Sequence, residues 1–208
     1  MRGKFITIEG QDGAGKSTNV TVMQEYLNTR SIEFVHTREP GGTDLGEKIR
    51  ELLLNSSAGI ADKTELLMMF AARAQHIESV IEPALSKGVW VLCDRFTDAT
   101  YAYQGAGRGL NVGDIQLLET YVQAGLVPDL TLVLDLPIDV SESRAGLRSA
   151  PDRFERQKHD FKQNVRDCYL ARAHNEPDRM KVVDASQSLE SVKQSVVTVL
   201  TRFCDSND

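Results

Sequence analysis

Apolar and polar positions alternate along this chain in two periods. Short apolar runs recur at Lys4 to Ile8, Val89 to Cys93, Leu130 to Leu134 and Met180 to Val183, and the more polar Glu33 to Thr37 also reads as a strand. Runs of that length without polar interruption, such as Val-Trp-Val-Leu-Cys, predict strands buried on both faces of a parallel sheet. Between them the spacing changes to that of amphipathic helices: residues 16 to 30, Asp44 to Leu54, Lys63 to about Lys87, Val112 to Gly125, a segment after Pro137, residues 154 to 173, and Leu189 to Phe203. The helix from Lys63 starts behind Asp62 as a cap, is apolar over an unusually wide face, and carries Pro83, which predicts a kink or an interruption of its bonding. Its width suits either the core or a subunit interface. Thr97 to Gln104 reads as a further helix leading into Gly105 to Gly109, and Gly125 as a helix stop. Five strands alternating with helices predict an α/β fold, a five-stranded parallel sheet with helices on both faces, and ligands along the strands' carboxyl ends.

Composition narrows this without redirecting it. The 208 residues suit a single domain, residues 1 to 208, with a sizeable core. A formal charge of −6 argues against a general nucleic-acid or membrane-surface binder. Cys93, Cys168 and Cys204 form no metal or redox motif and read as reduced thiols of a cytoplasmic protein. The first ten residues do not read as a signal peptide, and no apolar stretch approaches the ~18 residues of a membrane span.

The chemistry begins where the first strand ends. Gly10-Gln11-Asp12-Gly13-Ala14-Gly15-Lys16-Ser17-Thr18 fits Gly-x-x-x-x-Gly-Lys-Ser between a strand and a helix. Such a P-loop turns backbone N–H groups inward beneath a helix N-terminus, with Lys16 reaching the terminal phosphates of a purine nucleotide and the Ser17 hydroxyl on Mg2+. Other punctuation falls at strand ends. Arg38-Glu39-Pro40-Gly41-Gly42-Thr43 is either a plain turn or a ligand loop. Asp94-Arg95 is either a local ion pair or a site for Mg2+ water and phosphate. Arg73, within an apolar run, suits a structural salt bridge or a pocket, and His76 suits packing or the surface. The stretch Arg144 to Glu155, rich in arginine beside Gly, Ser and Pro, is a solvated loop or a mobile basic lid. No Asn-Lys-x-Asp marks a guanine site, and a small chain with a basic loop in its last third suits a nucleotide or nucleoside kinase.

Taken together in order, Glu9-Gly10 with Asp12 to Ser17, Arg38 to Thr43, Asp94-Arg95-Phe96, Ala102 to Gly105 with Gly107-Arg108-Gly109, and Asp152-Arg153-Phe154-Glu155 resemble the bacterial thymidylate kinases over nearly the whole chain. The resemblance implies the P-loop NTPase fold, a homodimer, and transfer of the γ-phosphoryl group of ATP to dTMP. It ranks a deoxynucleoside kinase or a non-catalytic switch-type P-loop protein behind that. It implies that Gly10 to Thr18, Arg144 and Arg153 serve ATP, and that Ser17, Glu9 and Asp94 shape the Mg2+ shell. It implies that Lys16, Asp94, Arg95 and Arg148 are catalytic. For the acceptor it implies Asp12 on the sugar hydroxyl, Glu39 and Pro40 beside the sugar, and Arg95 on the phosphate. Arg73 and Gln104 would bond thymine, while Thr100 and Tyr103 close the pocket. Some relatives carry an arginine where this chain has Gly13; here the lid, about residues 144 to 155, would supply it, chiefly through Arg148. The lid reads Arg144-Ala145-Gly146-Leu147-Arg148, one arginine short of related lids. The thymine-stacking side chain is expected to be Phe70, with Met69 its rival, three and four residues before Arg73.

Overall fold

The computed structural model describes residues 2–56, 59–145, 153–154 and 156–206, and leaves the side chains of Glu142, Arg144 and Ala145 undescribed. Strands β1 (Phe5–Glu9), β2 (Phe34–Arg38), β3 (Trp90–Asp94), β4 (Leu130–Asp135) and β5 (Met180–Asp184) form one sheet in the order β2-β3-β1-β4-β5. Every pairing is parallel. The helices are α1 (Lys16–Thr29), α2 (Asp44–Asn55), α3 (Asp62–His76), α4 (Glu82–Ser86), α5 (Thr97–Thr100), α6 (Val112–Gln123), α7 (Ile138–Ala145), α8 (His159–Asn175) and α9 (Leu189–Asp205).

The continuous apolar runs are explained by cover on both faces. Ile6, Ile8, Leu92, Leu132 and Leu134 pack with Val20 and Met23 of α1 and Val192, Val196 and Leu200 of α9. On the opposite face Phe5, Val91 and Cys93 meet Ile77, Ile81, Leu85 and Phe96, while Val133 and Met180 meet Tyr103, Phe161, Val165 and Tyr169 of α8. Alternation along β1 therefore turns Glu9 toward the second face, beneath α8.

The long helix expected from Lys63 is real but interrupted. Asp62 is its first residue and makes no side-chain cap. From Ile77 to Ile81 it widens to a π-type turn, closed by Glu82 N–H bonding to the Ile77 carbonyl, before α4 resumes with Pro83 near its start. Proline cannot donate to the turn before it, and the widened turn absorbs that loss. A second π-type segment, Tyr101–Gly107, extends α5 into the expected glycine-rich loop. Helix α6 ends at Gln123, and Ala124 rather than Gly125 takes the first left-handed position, at φ 48°. Helix α8 begins at His159, so Phe154 stands in the turn before it.

Sheet order creates the crevice. Both neighbours of β1 are reached by crossovers, β3 on one side and β4 on the other, so the chain's path diverges at β1's carboxyl end. The Arg95 N–H bonds to Ile8 O at 3.0 Å and the Glu39 N–H to Asp94 O at 2.9 Å. These bonds hold Glu9-Gly10, Arg38-Glu39 and Asp94-Arg95 side by side.

Candidate active site

The glycine loop leaves β1 and enters α1 through residues that only glycine fills well. Gly13 has φ +84°, and a Cβ there would lie 2.8 Å from the Ser141 carbonyl oxygen. Ser141 Oγ donates to the Asp12 carbonyl at 2.6 Å, so α7 is clasped against the loop. A side chain at position 13 would meet the Ser141 carbonyl and has no room here. No side chain caps α1, which leaves its first N–H groups for an anion. Lys16 Nζ lies 3.0 Å from Gly10 O, 3.3 Å from Gln11 O and 3.7 Å from Asp12 Oδ1. Burial and the nearby Arg95 charge lower its pKa.

A cleft opens above the loop between Gly13, Gly15, Lys16, Ser17, Arg38, Asp94 and Arg95. Asp94 Oδ1 is buried without a hydrogen-bond partner. An orphaned carboxylate oxygen on a residue that lines the P-loop cavity together with Ser17 fits a hard divalent cation. Among the described residues no three His, Cys, Asp or Glu side chains cluster as a metal cage. Glu9 is placed differently: it is fully buried, accepts from Phe96 N–H and Tyr169 Oη, both at 2.7 Å, and does not line the cavity. Burial, reinforced by Asp98, pushes its pKa up to about 7.

A second cavity adjoins the first, and the two share Asp12, Glu39, Arg50 and Arg95 as a common wall. Arg95 has a left-handed backbone, φ 69°, uncommon for a residue with a side chain. Its Nη2 meets Asp12 Oδ1 at 2.9 Å and its Cζ sits 4.8 Å from the Tyr103 ring centre. Burial opposes the Asp12 charge, but Arg95 and Lys16 outweigh it and hold the carboxyl below its usual range.

At the far end, Arg73 is buried between the Phe70 and Phe96 rings, with Cζ 4.9 and 5.0 Å from their centres. Its Nε donates to Glu39 Oε2 at 2.7 Å and Nη2 to Thr100 Oγ1 at 3.0 Å, while Nη1 has no partner. The arginine is thus both the structural ion pair and a free donor. His76, fully buried, meets Glu39 Oε1 at 2.9 Å through Nδ1 and Thr37 Oγ1 at 2.6 Å through Nε2. Gln104 Nε2 donates to Glu65 Oε1 at 2.8 Å. Pro40, Met69, Thr100, Tyr103, Gln104 and Phe154 complete the wall.

Phe70 does not line this cavity; it packs with Leu66, Tyr101 and Ile115 behind Arg73. One residue is about 100° of helix rotation, and that step carries Met69 to the wall and Phe70 to the core. Arg153 lies at the acceptor side, its Nε donating to Leu53 O at 2.9 Å and its Nη2 to Glu65, away from the cavity above the P-loop. Arg148 and the side chain of Arg144 lie outside the described residues.

The sequence alone assigns no site role to Arg50, Glu65, Arg108 or Tyr169, and it leaves His76 to packing or the surface. Arg50 lines both cavities and donates to Pro40 O at 3.0 Å. Glu65 gathers Gln104, Arg108 and Arg153 on one buried carboxylate. The only signals were acidic and basic residues at core-facing helix positions, which periodicity registers as ion pairs.

Comparison with known proteins gives consistent matches. A family model described as thymidylate kinase matches residues 8–196. A thymidylate kinase of Pseudomonas putida is 55% identical over 201 residues, 96% of either chain. One from Neisseria gonorrhoeae is 52% identical over 200 residues, 96% of this chain and 97% of its own. A crystal structure of thymidylate kinase from Ehrlichia chaffeensis superposes with a TM-score of 0.78 at 34% identity, covering 97% of this chain and 99% of the other.

Proposed function

This chain belongs to the thymidylate kinase family, and on that premise we propose how its site divides the work. The reaction is transfer of the γ-phosphoryl group of ATP to dTMP, giving dTDP and ADP. The observation that carries the assignment of roles is a shared wall. A phosphate cradle and a pocket with a free buried guanidinium nitrogen meet at Asp12 and Arg95. Two substrates in adjoining cavities are held in line without a covalent intermediate.

ATP phosphates lie on the N–H groups of Gly10 to Thr18, with Lys16 moving from its carbonyl contacts onto the terminal phosphates. Asp94 and Ser17 would hold Mg2+, which neutralises phosphate charge when bound. Arg95 grips the dTMP phosphate, and Asp12 accepts from the sugar hydroxyl. The Tyr103 ring fills the space a ribose 2′-hydroxyl would need. Arg73 Nη1 and Gln104 donate to or accept from thymine, with Met69 and Phe154 against the base and Glu39 holding Arg73. Residues of about 144–155 act as the lid of this single domain, and Arg148 brings positive charge to the transferring group. Arg144 lies against adenine, and Arg153 is the lid's contact with the acceptor side.

A deoxynucleoside kinase would bring no phosphate for Arg95. The assay that decides is acceptor-dependent ADP release with dTMP, dUMP, dCMP, dGMP, AMP and thymidine. Turnover strongest with dTMP supports the reading; turnover with thymidine, or with another monophosphate and not dTMP, contradicts it.

We also propose a homodimer working in the cytoplasm. Leu67 on α3 and Leu117 and Tyr121 on α6 are 56%, 72% and 86% exposed, on two helices that pack together. An apolar surface of that kind suits burial against a second copy. Leu117→Glu is expected to yield monomers by light scattering; an unchanged mass would place the interface elsewhere. Among the described residues no helix is long and apolar enough to cross a membrane.

A further inference from the structure

Arg95 is held by three groups, and only one of them lacks a role in the site. Asp12 pairs with its Nη2 and the Tyr103 ring lies under its Cζ. The third is Tyr169, which stands 74 residues later on α8 and presents its hydroxyl 3.3 Å from Arg95 Nη1. The same hydroxyl donates to Glu9 Oε2 at 2.7 Å, and Glu9 Oε1 accepts from Phe96 N–H, next to Arg95 in the chain. Tyr169 is 2% exposed, with its ring packed among Ala102, Val133, Phe161 and Val165.

The chemistry of the interposed hydroxyl matters. Asp12 already sets one carboxylate directly on Arg95 Nη2, and a second would tie the guanidinium down on both sides. Glu9 instead reaches it only through the Tyr169 hydroxyl, which orients Nη1 without adding a second direct carboxylate. Burial and the Glu9 charge push the Tyr169 pKa upward, so the hydroxyl remains a proton donor to Glu9 and an acceptor for Arg95. Arg95 also leaves the backbone from a left-handed conformation, φ 69°, which costs energy and persists only where its surroundings dictate the direction of the side chain. Asp12 alone does not supply that direction, because it too faces the acceptor cavity.

We propose that Tyr169 is a positioning residue for the acceptor phosphate: it fixes the Arg95 guanidinium from beneath, through the line Glu9–Tyr169–Arg95. The proposal rests on the reading that Arg95 grips that phosphate, and the test separates the two.

Tyr169→Phe removes one oxygen and keeps the ring in its cluster. Calorimetry would give the affinity of the full chain for dTMP and for thymidine, which lacks the phosphate. Loss of a hydrogen bond to a charged group is expected to weaken dTMP binding about tenfold or more, with thymidine binding unchanged. The dTMP-to-thymidine ratio is internal to each variant, so any loss of folded protein cancels, and Tyr169→Leu serves as a second variant with the same readout. An unchanged ratio, including equal weakening of both ligands with a lowered Tm, overturns the proposal and leaves Tyr169 a core residue. Arg95→Ala is the reference: the ratio should collapse. If it does not, the phosphate lies elsewhere and the underlying reading falls with the proposal. If it collapses while Tyr169→Phe leaves it intact, only the positioning role is lost.

Discussion

Glu39→Gln offers a sharp perturbation because it removes one charge and almost no volume. Glu39 Oε2 takes the Arg73 Nε–H at 2.7 Å and Oε1 meets His76 Nδ1 at 2.9 Å, with the Arg73 and Glu39 side chains 2% and 5% exposed. The substitution leaves a buried guanidinium without its counter-charge. Breaking one side of a buried pair costs about 3–5 kcal/mol, and the amide's remaining hydrogen bonds place this case near the lower figure. For a chain of this size each kcal/mol moves Tm by about 2–4 °C, so a fall of about 6–12 °C is expected. Thermal unfolding followed by circular dichroism measures it. The second arm is Glu39→Gln with Arg73→Met, which removes the stranded charge as well. It should recover much of the lost Tm while leaving dTMP binding abolished, because Arg73 Nη1 is the free donor of the pocket. A Tm for Glu39→Gln within about 2 °C of the parent would mean that the pair contributes nothing the solvent does not replace.

Three further outcomes are expected. Met69→Ala should raise KM for dTMP several-fold with little change in Tm, whereas Phe70→Ala should cost about 3–5 kcal/mol of stability; a large KM effect at Phe70 with unchanged Tm would return it to the base. Arg148→Ala should lower kcat by about a hundredfold or more with dTMP affinity nearly unchanged; an unaltered kcat, measured by coupled ADP release, would remove Arg148 from the mechanism. Glu9, with its pKa raised to about 7, contributes stability that is present below its ordinary value near 4.5 and lost as pH rises to about 7. Glu9→Gln should therefore gain on the parent over that window, by on the order of 3 kcal/mol. Parallel Tm profiles from pH 4.5 to 7.5 would show that Glu9 titrates normally.

The strands and most helices were legible because each rests on local information: a two-sided apolar run, a cap, a proline, a glycine. Where the expectation and the fold part, the deciding fact is tertiary. Pro83 announces an interruption, but its form, a π-type turn one step earlier at Ile77–Ile81, depends on packing against Phe5 and Val91. The P-loop was visible as a motif, since backbone geometry requires its glycines. Arg73 was visible as an oddity, a charge in an apolar run; that it carries both an ion pair and a free nitrogen follows from Glu39, 34 residues away. Met69 and Phe70 differ by one helical step that periodicity does not resolve. Tyr169 carried no local signal at all, because a tyrosine on the buried face of α8 satisfies the apolar pattern whatever its hydroxyl touches.

On this reading one acceptor pocket beside the P-loop cavity orders phosphate, sugar and base along Arg95, Asp12 and Arg73. A crystal structure of the chain with dTMP tests it directly. The phosphate is expected on the Arg95 guanidinium, the 3′-hydroxyl on Asp12, and thymine against Met69 with the Arg73 Nη1 nitrogen bonded to the ring. A nucleotide bound in the reverse sense, with its phosphate at Arg73, or seated outside the cavity that Arg95 and Arg73 share, would contradict it.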